Sequence, residues 1–385
     1  MIALTAARLV TPDPIDHPLL LLDDGRVVEV ASRSAREIPR CRTVELGDVT
    51  LAPGFVDIHI HGGAGHDVME PDDTALPAVE TLIARHGVSS YFPTTVTAPV
   101  EQILSALEHL ARAIEVTQCG PQDGVLRARP LGIHLEGPFI SHARRGVHPA
   151  ANLLPPTVTA FERFWQVSRG QIRMMTIAPE LPGSIEVIKE AARRGVLVSL
   201  GHSDADFETT RAAIEAGARH ATHTFNAMRP LAHRDPGIVG EVLTDARVSA
   251  DIIVDGIHLD PAVVKLFLQM KGELATILIT DATAATGMPD GRYRLGSLEV
   301  EVKDGKCLVE GRLAGSVLTM DRALRNVMQF GGWSLPQALR AATLNPARAA
   351  NLHHAGRLTN GSWADIVVLG PDGAVQKTII QGRGV

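Results

Sequence analysis

Apolar and polar positions change rhythm twice along the chain. Residues 1–52 carry short apolar runs broken by turn residues (IALTAARLV, PLLLLDDGRVVEV, TVELGDVTLAP) and no long helical period. Residues 355–385 return to that rhythm through DIVVLG, a PDG turn and AVQKTIIQG. Two strand-rich ends around a different middle predict one small β-sandwich domain built from both termini.

Within residues 53–354, apolar runs rich in Val, Ile and Thr alternate with helical stretches, the pattern of βα units on a parallel sheet. In EQILSALEHLARAI, the positions Ile103, Leu104, Leu107, Leu110, Ala111 and Ile114 recur at the spacing of one buried helix face. Eight candidate strands follow in order: GFVDIHIHG, SSYFPTTV, ARPLGIHLEG, IRMMTIAPE, GVLVSLGHS, HATHTFN, VSADIIVDGIH and ATILITDAT. That number closes a barrel, so the expected fold is α/β, a (β/α)8 TIM-like barrel beside the small sandwich. No longer repeat and no low-complexity tract interrupts the alternation.

Composition narrows the function. A chain of 385 residues accommodates one barrel and a small companion. The net charge of −6, with no run of Lys or Arg, argues against nucleic acid or an anionic membrane and favours a small-molecule partner. The start MIALTAARLVTPDPIDH carries Asp13 and Asp16 and lacks a basic lead, and no apolar run is long enough to span a bilayer, so a soluble cytoplasmic protein is expected. Cys41, Cys119 and Cys307 form no CxxC pair and suggest neither a disulfide framework nor a thiolate zinc site. The 16 His residues are the notable feature.

In a parallel barrel, chemistry collects where strands end. His59 and His61 alternate with period two at the end of the first strand, which puts both imidazoles on one side. Glu136 ends the third, His202 the fifth, His223 the sixth and Asp281 the eighth, with the strand bodies reading as apolar. One such histidine alone reads as a hydrogen-bonded residue; the set reads as ligands for one or two divalent ions, Zn²⁺ foremost, with Fe²⁺, Co²⁺ or Mn²⁺ also suited. Only six Lys occur, none in a predicted barrel strand, so a carboxylated lysine bridge is not expected and Glu136 must supply the carboxylate. GPFISHARRGVHPA, TFNAMRPLAHRDPGIVG and DGIH set Gly or Pro beside donors suited to an anion, with Arg234 and His258 as phosphate candidates. Arg144, Arg145 and Arg229 read as solvated, and LAGS at 313–316 reads equally as a plain turn.

Taken together, PGFVDIHIHG, HLEGPFIS with a downstream Gly-x-His, GHSDA, THTFNAM, HRDPGIVG, DGIH, TDATAATGMPDG, LAGSVLTMD and GSWADIVVL resemble the N-acetylglucosamine-6-phosphate deacetylases of the amidohydrolase superfamily. The resemblance implies metal-dependent hydrolysis of the acetamide of N-acetyl-D-glucosamine 6-phosphate in amino-sugar metabolism. It implies Glu136, His202 and His223 as core metal ligands, Asp281 as the catalytic acid/base and His148 as the group that polarises the acetyl carbonyl. It further implies sugar and phosphate contacts from Asn226, Ala227, Arg234, Asp255, Gly256, Ile257, His258, Leu313, Ala314 and Gly315, and a homodimer. With His59 and His61 both kept, a second ion has ligands. The family's Gly-x-His carries a smaller middle residue; here it is Val147, at the acetyl end of the pocket.

Three alternatives stand beside this reading: the galactosamine epimer as substrate, a cyclic amidohydrolase of dihydroorotase or hydantoinase type, and a barrel that has lost catalysis and serves in assembly. The missing strand lysine and the HLEGPF and HTFNAM words speak against the cyclic amide. The filled ligand positions speak against the assembly protein.

Overall fold

The computed structural model describes residues 1–11, 13–118 and 124–385; Cys119 lies outside them. Eight parallel strands form the barrel: β1 (Phe55–Ile60), β2 (Val88–Thr95), β3 (Ile133–Glu136), β4 (Ile172–Ile177), β5 (Leu197–Leu200), β6 (His220–Ala221), β7 (Ser249–Ile253) and β8 (Thr276–Ile279). The expected runs supply them in the expected order, each paired with its sequence neighbour. The ring closes just beyond the ends of β8 and β1, where the Asp281 N–H donates to His59 O at 2.9 Å and His61 N–H to Ala282 O at 2.8 Å.

Helices α1 (Ala75–Arg85), α2 (Val100–Gln118), α3 (Val158–Val167), α4 (Ser184–Arg193), α5 (Phe207–Ala216), α6 (Gly237–Thr244), α7 (Pro261–Ala275) and α8 (Met320–Gly331) follow the strands in turn. The predicted face of α2 is buried at every position from Ile103 to Ile114. Each such Leu or Ile contributes roughly 1.5–3 kcal/mol of transfer free energy, which is why a helix with a charged outer face settles on the barrel.

Both termini build the sandwich. One sheet orders Arg26–Ser32, Pro18–Asp23, Ile2–Thr5 and Arg42–Glu45; the other orders Val375–Ile379, Ile366–Leu369, Thr50–Pro53, Arg8–Thr11 and Asp13–Asp16. Leu4, Leu20 and Leu22 of the first face Leu9, Leu51, Ile366 and Val368 of the second in one buried cluster. The ends of the chain are thus joined by backbone pairing of Val368 with Leu51.

The structure differs from the sequence reading in three respects. The run HATHTFN yields only His220–Ala221 as strand, because the chain turns away with positive φ at His223, Phe225 and Ala227. The strand bodies are not apolar: Asp57, His134, Thr176, Ser199 and Asp251 are all fully buried, as is Thr222 just past β6. They are tolerated because each has a hydrogen-bond partner, as in His134 Nε2 to Thr176 Oγ1 at 2.7 Å, Thr176 Oγ1 to Thr222 Oγ1 at 2.8 Å and Thr280 Oγ1–H to Asp57 Oδ2 at 2.6 Å. Thirdly, an antiparallel sheet stands between β8 and α8, formed by Gly291–Leu295, Leu298–Lys303, Lys306–Val309 and Arg312–Leu313. It folds over the barrel mouth, so LAGS is not a plain turn: Leu313 ends a strand of this sheet and Ser316 pairs back onto Ala282.

Candidate active site

The ends of β1, β3, β5, β6 and β8 converge on one cavity of about 230 Å³ at the C-terminal mouth of the barrel. Nε2 atoms of His202 and His223 lie 3.1 Å apart, and face Oε1 of Glu136 at 3.3 and 3.2 Å. Beside them, Nε2 atoms of His59 and His61 are also 3.1 Å apart and lie 3.4 and 3.1 Å from Oδ1 of Asp281. Glu136 joins the two groups, with Oε1 3.5 Å from His59 and Oε2 3.3 Å from His61.

These side chains fit a divalent metal. Four donors about 2.0–2.1 Å from a Zn²⁺-sized ion are separated by about 3.3 Å along each tetrahedral edge. The observed separations of 3.1–3.5 Å match that edge, and all six side chains are buried. Nitrogens and carboxylate oxygens gathered this closely away from water form a donor set suited to a shared cation. The far sides of the rings agree: His61 Nδ1–H donates to Thr94 O at 3.0 Å and His202 Nδ1–H to Arg144 O at 3.0 Å, which leaves each Nε2 lone pair facing inward.

His223 is fixed through its backbone. Its N–H donates to Oδ1 of Asp251, whose Oδ2 accepts from His220 Nε2–H at 2.8 Å, and His220 Nδ1 is hydrogen-bonded to Ser249 Oγ at 2.8 Å. This buried relay turns the chain sharply enough to give His223 a φ of +30°. His202 and Asp281 sit at +47° and +50°, so three of the converging side chains hang from backbone in a region that costs roughly 1–3 kcal/mol per residue. Gly315 packs behind Asp281 at φ +62°, where a Cβ would stand 2.9 Å from Asp281 O.

His148 occupies a different chemical state. It is within ligating reach of Glu136 and His202, yet its Nε2 is 3.7 Å from Glu136. Its Nδ1 accepts from Thr97 Oγ1–H at 2.8 Å and Thr97 N–H at 3.3 Å, so Nε2 carries the hydrogen and points into the cavity as a donor. Burial pushes this imidazole down to about 3 and keeps it neutral. Burial pushes the Asp281 carboxyl up, but His59 and His61 outweigh it and hold it at about 2. Glu136 is likewise raised by burial and brought well below the usual range by His59, His202 and His223.

Of the other expected residues, Val147, Asn226, Ala227, His258, Leu313, Ala314 and Gly315 line the cavity. Asp255, Gly256 and Ile257 do not; Asp255 instead holds His258, accepting Nδ1–H at 2.7 Å and the backbone N–H at 2.8 Å. Arg234 is exposed and outside the cavity, and no Lys or Arg lines it among the described residues. Arg144 and Arg229 are not simply solvated: they pair with Asp204 at 2.7 Å and Asp235 at 2.5 Å. The sequence reading did not include Val96, Thr97, Leu295 and Leu298, which also line the cavity. Thr97 stands two residues past β2, a strand end that carries no titratable side chain to draw notice.

The amidohydrolase family model matches residues 50–385. The chain is 38% identical to an N-acetylglucosamine-6-phosphate deacetylase of Vibrio furnissii, over 88% of this chain and 84% of the relative. It is 37% identical to an N-acetylgalactosamine-6-phosphate deacetylase of Escherichia coli, over 99% of this chain and 98% of the relative. The crystal structure of the N-acetyl-D-glucosamine-6-phosphate deacetylase of Mycobacterium smegmatis superposes with a TM-score of 0.91 at 36% identity, covering 100% of this chain and 99% of that one. With this identity over nearly the whole of both chains, the protein belongs to the N-acetylglucosamine-6-phosphate deacetylase family of amidohydrolases.

Proposed function

We propose that this chain removes the acetyl group from N-acetyl-D-glucosamine 6-phosphate, giving D-glucosamine 6-phosphate and acetate. The observation that carries the reading is the pairing of an ion-sized donor cluster with a neutral imidazole N–H and a carboxylate in one buried cavity. Glu136, His202 and His223 would hold one divalent ion, and His59 and His61 supply ligands for a second; the His and carboxylate donors favour Zn²⁺. When bound, such an ion supplies Lewis acidity toward the acetyl carbonyl and toward the attacking water.

The protein's own groups divide the remaining work. Asp281, ionised and facing the cluster, accepts the proton of the attacking water and returns it to the departing amine. His148 donates its Nε2–H to the acetyl oxygen as negative charge develops there; because Thr97 sets the tautomer beforehand, the donor needs no reorganisation during reaction. The amino-sugar body lies against Asn226, Ala227 and the Leu313–Gly315 segment.

The phosphate calls for cationic side chains, and among the described residues no Lys or Arg lines the cavity. Arg234 and His258 are assigned to it, with Arg234 on an exposed loop that a second copy of the chain would bring to the cavity mouth. This reading makes the active species a homodimer, and light scattering on the purified protein tests it. Among the described residues no helix is long and apolar enough to cross a membrane; a cytoplasmic setting follows from the phosphorylated sugar substrate. The decisive assay is acetate release by metal-loaded protein from N-acetylglucosamine 6-phosphate, beside its galactosamine epimer and the unphosphorylated sugar. Equal turnover of the epimer would overturn the glucosamine assignment, and no turnover of any of the three would overturn the reaction.

A further inference from the structure

We propose that Asp67 is a positioning residue that clamps the inserted sheet over the active-site cavity and thereby fixes the wall against which the substrate's acyl group packs. The inference rests on the deacetylase reading and extends it to acyl-chain specificity.

Asp67 lies on the two-residue strand His66–Asp67, which pairs with Gly62–Gly63 just after His61, and is 3% exposed. Its carboxylate faces no Lys or Arg among the described residues. Instead Oδ1 accepts Met69 N–H at 2.7 Å, and Oδ2 accepts the N–H of Gly296, far along the chain, at 2.6 Å. A buried carboxylate with no Lys or Arg beside it is costly, so its presence asks what two neutral partners would not do as well. Only a carboxylate offers acceptors on both sides; an amide in its place would turn an NH2 group toward one of the two N–H donors.

The amide of Gly296 sits in the two-residue turn between Gly291–Leu295 and Leu298–Lys303, the strands whose facing ends, Leu295 and Leu298, line the cavity. The turn is seated tightly: a Cβ on Gly296, at φ +56°, would stand 2.4 Å from Val96 Cγ2. Val96 lines the cavity and precedes Thr97, the partner of His148. Val96, Leu295 and Leu298 therefore share one cavity with the His148 Nε2–H assigned to the acetyl oxygen, and on this proposal the acyl methyl packs against them. Met69, held by the same carboxylate, backs this wall from behind, its Sδ accepting Val96 N–H at 3.2 Å.

The test compares metal-loaded wild type, Asp67→Asn and Leu298→Ala on N-acetyl- and N-propionyl-glucosamine 6-phosphate, with metal content and amide hydrogen exchange over residues 295–298 measured alongside. For Asp67→Asn we expect about tenfold faster exchange at the turn, since a hydrogen bond to a charged group is lost. Metal content should be unchanged, and KM for the acetyl substrate should rise with little change in kcat. Preference for acetyl over propionyl should fall by about threefold or more, one methylene being the unit a hydrophobic wall discriminates. Leu298→Ala should relax the same preference with exchange at the turn unchanged. Unchanged exchange in Asp67→Asn, or faster exchange with acyl preference intact, overturns the proposal. So does intact preference in Leu298→Ala, which covers the case in which Asp67→Asn does not fold. If wild type releases no acetate, the deacetylase reading has failed, and the exchange measurement still decides whether Asp67 clamps the turn.

Discussion

Thr97 decides which nitrogen of His148 carries the hydrogen: its hydroxyl and its backbone N–H both point at Nδ1, at 2.8 and 3.3 Å. Thr97→Val removes the hydroxyl and keeps the volume, leaving one weak donor to hold the tautomer. We expect kcat to fall by about tenfold with metal content unchanged, in line with the effect of losing a ring-orienting partner. Steady-state kinetics beside metal analysis checks it, and wild-type kcat would remove Thr97 from the mechanism.

Asp281→Asn keeps size and the backbone turn but cannot carry a proton. Turnover should fall by roughly 10² or more, within the range that general acid–base groups contribute. The variant must be compared at matched metal loading, because Asp281 Oδ1 also lies 3.1 Å from His61 Nε2. Near-normal turnover would remove Asp281 from the proton-transfer role.

Asp251 holds the backbone of His223 on one oxygen and the ring of His220 on the other, with no exposure to water. Asp251→Asn gives up one of the two, so His223 loses its fixed direction toward Glu136. Metal affinity, read by competition with a chelator, should weaken by about 10- to 100-fold. Unchanged affinity would mean that barrel packing alone sets the His223 rotamer.

Arg234→Ala should impair the phosphorylated substrate far more than the unphosphorylated sugar, because a phosphate contact distant from the amide acts by positioning. Equal loss on both substrates would show that the exposed loop serves folding or assembly rather than phosphate. The same preparation should be sized, since a monomer would leave Arg234 outside the cavity.

Asp321 on α8 bonds His86, which follows α1, at 3.0 Å. Burial pushes its carboxyl up, but the His86 bond and the nearby positive charges prevail and hold it at about 2. A folded value below the unfolded one means that the contribution to stability is present at neutral pH and is lost as pH falls below about 4 toward 2. Asp321→Asn should therefore lower unfolding stability by about 1–2 kcal/mol at pH 7. Denaturant midpoints measured from pH 7 down to pH 3 should show that gap narrowing only at the acid end.

What the sequence determined by itself was periodicity and position. Apolar runs rich in Val, Ile and Thr located all eight barrel strands, a 3.6-residue period located α2, and the residues at strand ends located His59, His61, Glu136, His202, His223 and Asp281. These signals are legible because they are local: each depends on a few neighbouring residues and on which face of an element they share. The inserted sheet also had a local signal, Leu298, Val300 and Val302 alternating with Glu299 and Glu301 before the hairpin at Asp304–Gly305. Alternation alone did not say that its turn lies over the cavity, nor that a carboxylate from the segment after β1 holds it there.

Tertiary structure decided the partners. That Thr97 sets the tautomer of His148, that Asp251 bends the chain at His223 and that Asp255 rather than solvent meets His258 all depend on where side chains point once the ring has closed. The polar side chains within the strand bodies show the physical reason. His134, Thr176 and Thr222 are tolerated in the core only because barrel closure sets β3 beside β4 and brings the residue just past β6, across β5, into hydrogen-bonding reach. A hydrogen bond requires a partner at about 3 Å, and the distance between residues 46 positions apart is a property of the closed barrel, not of the chain.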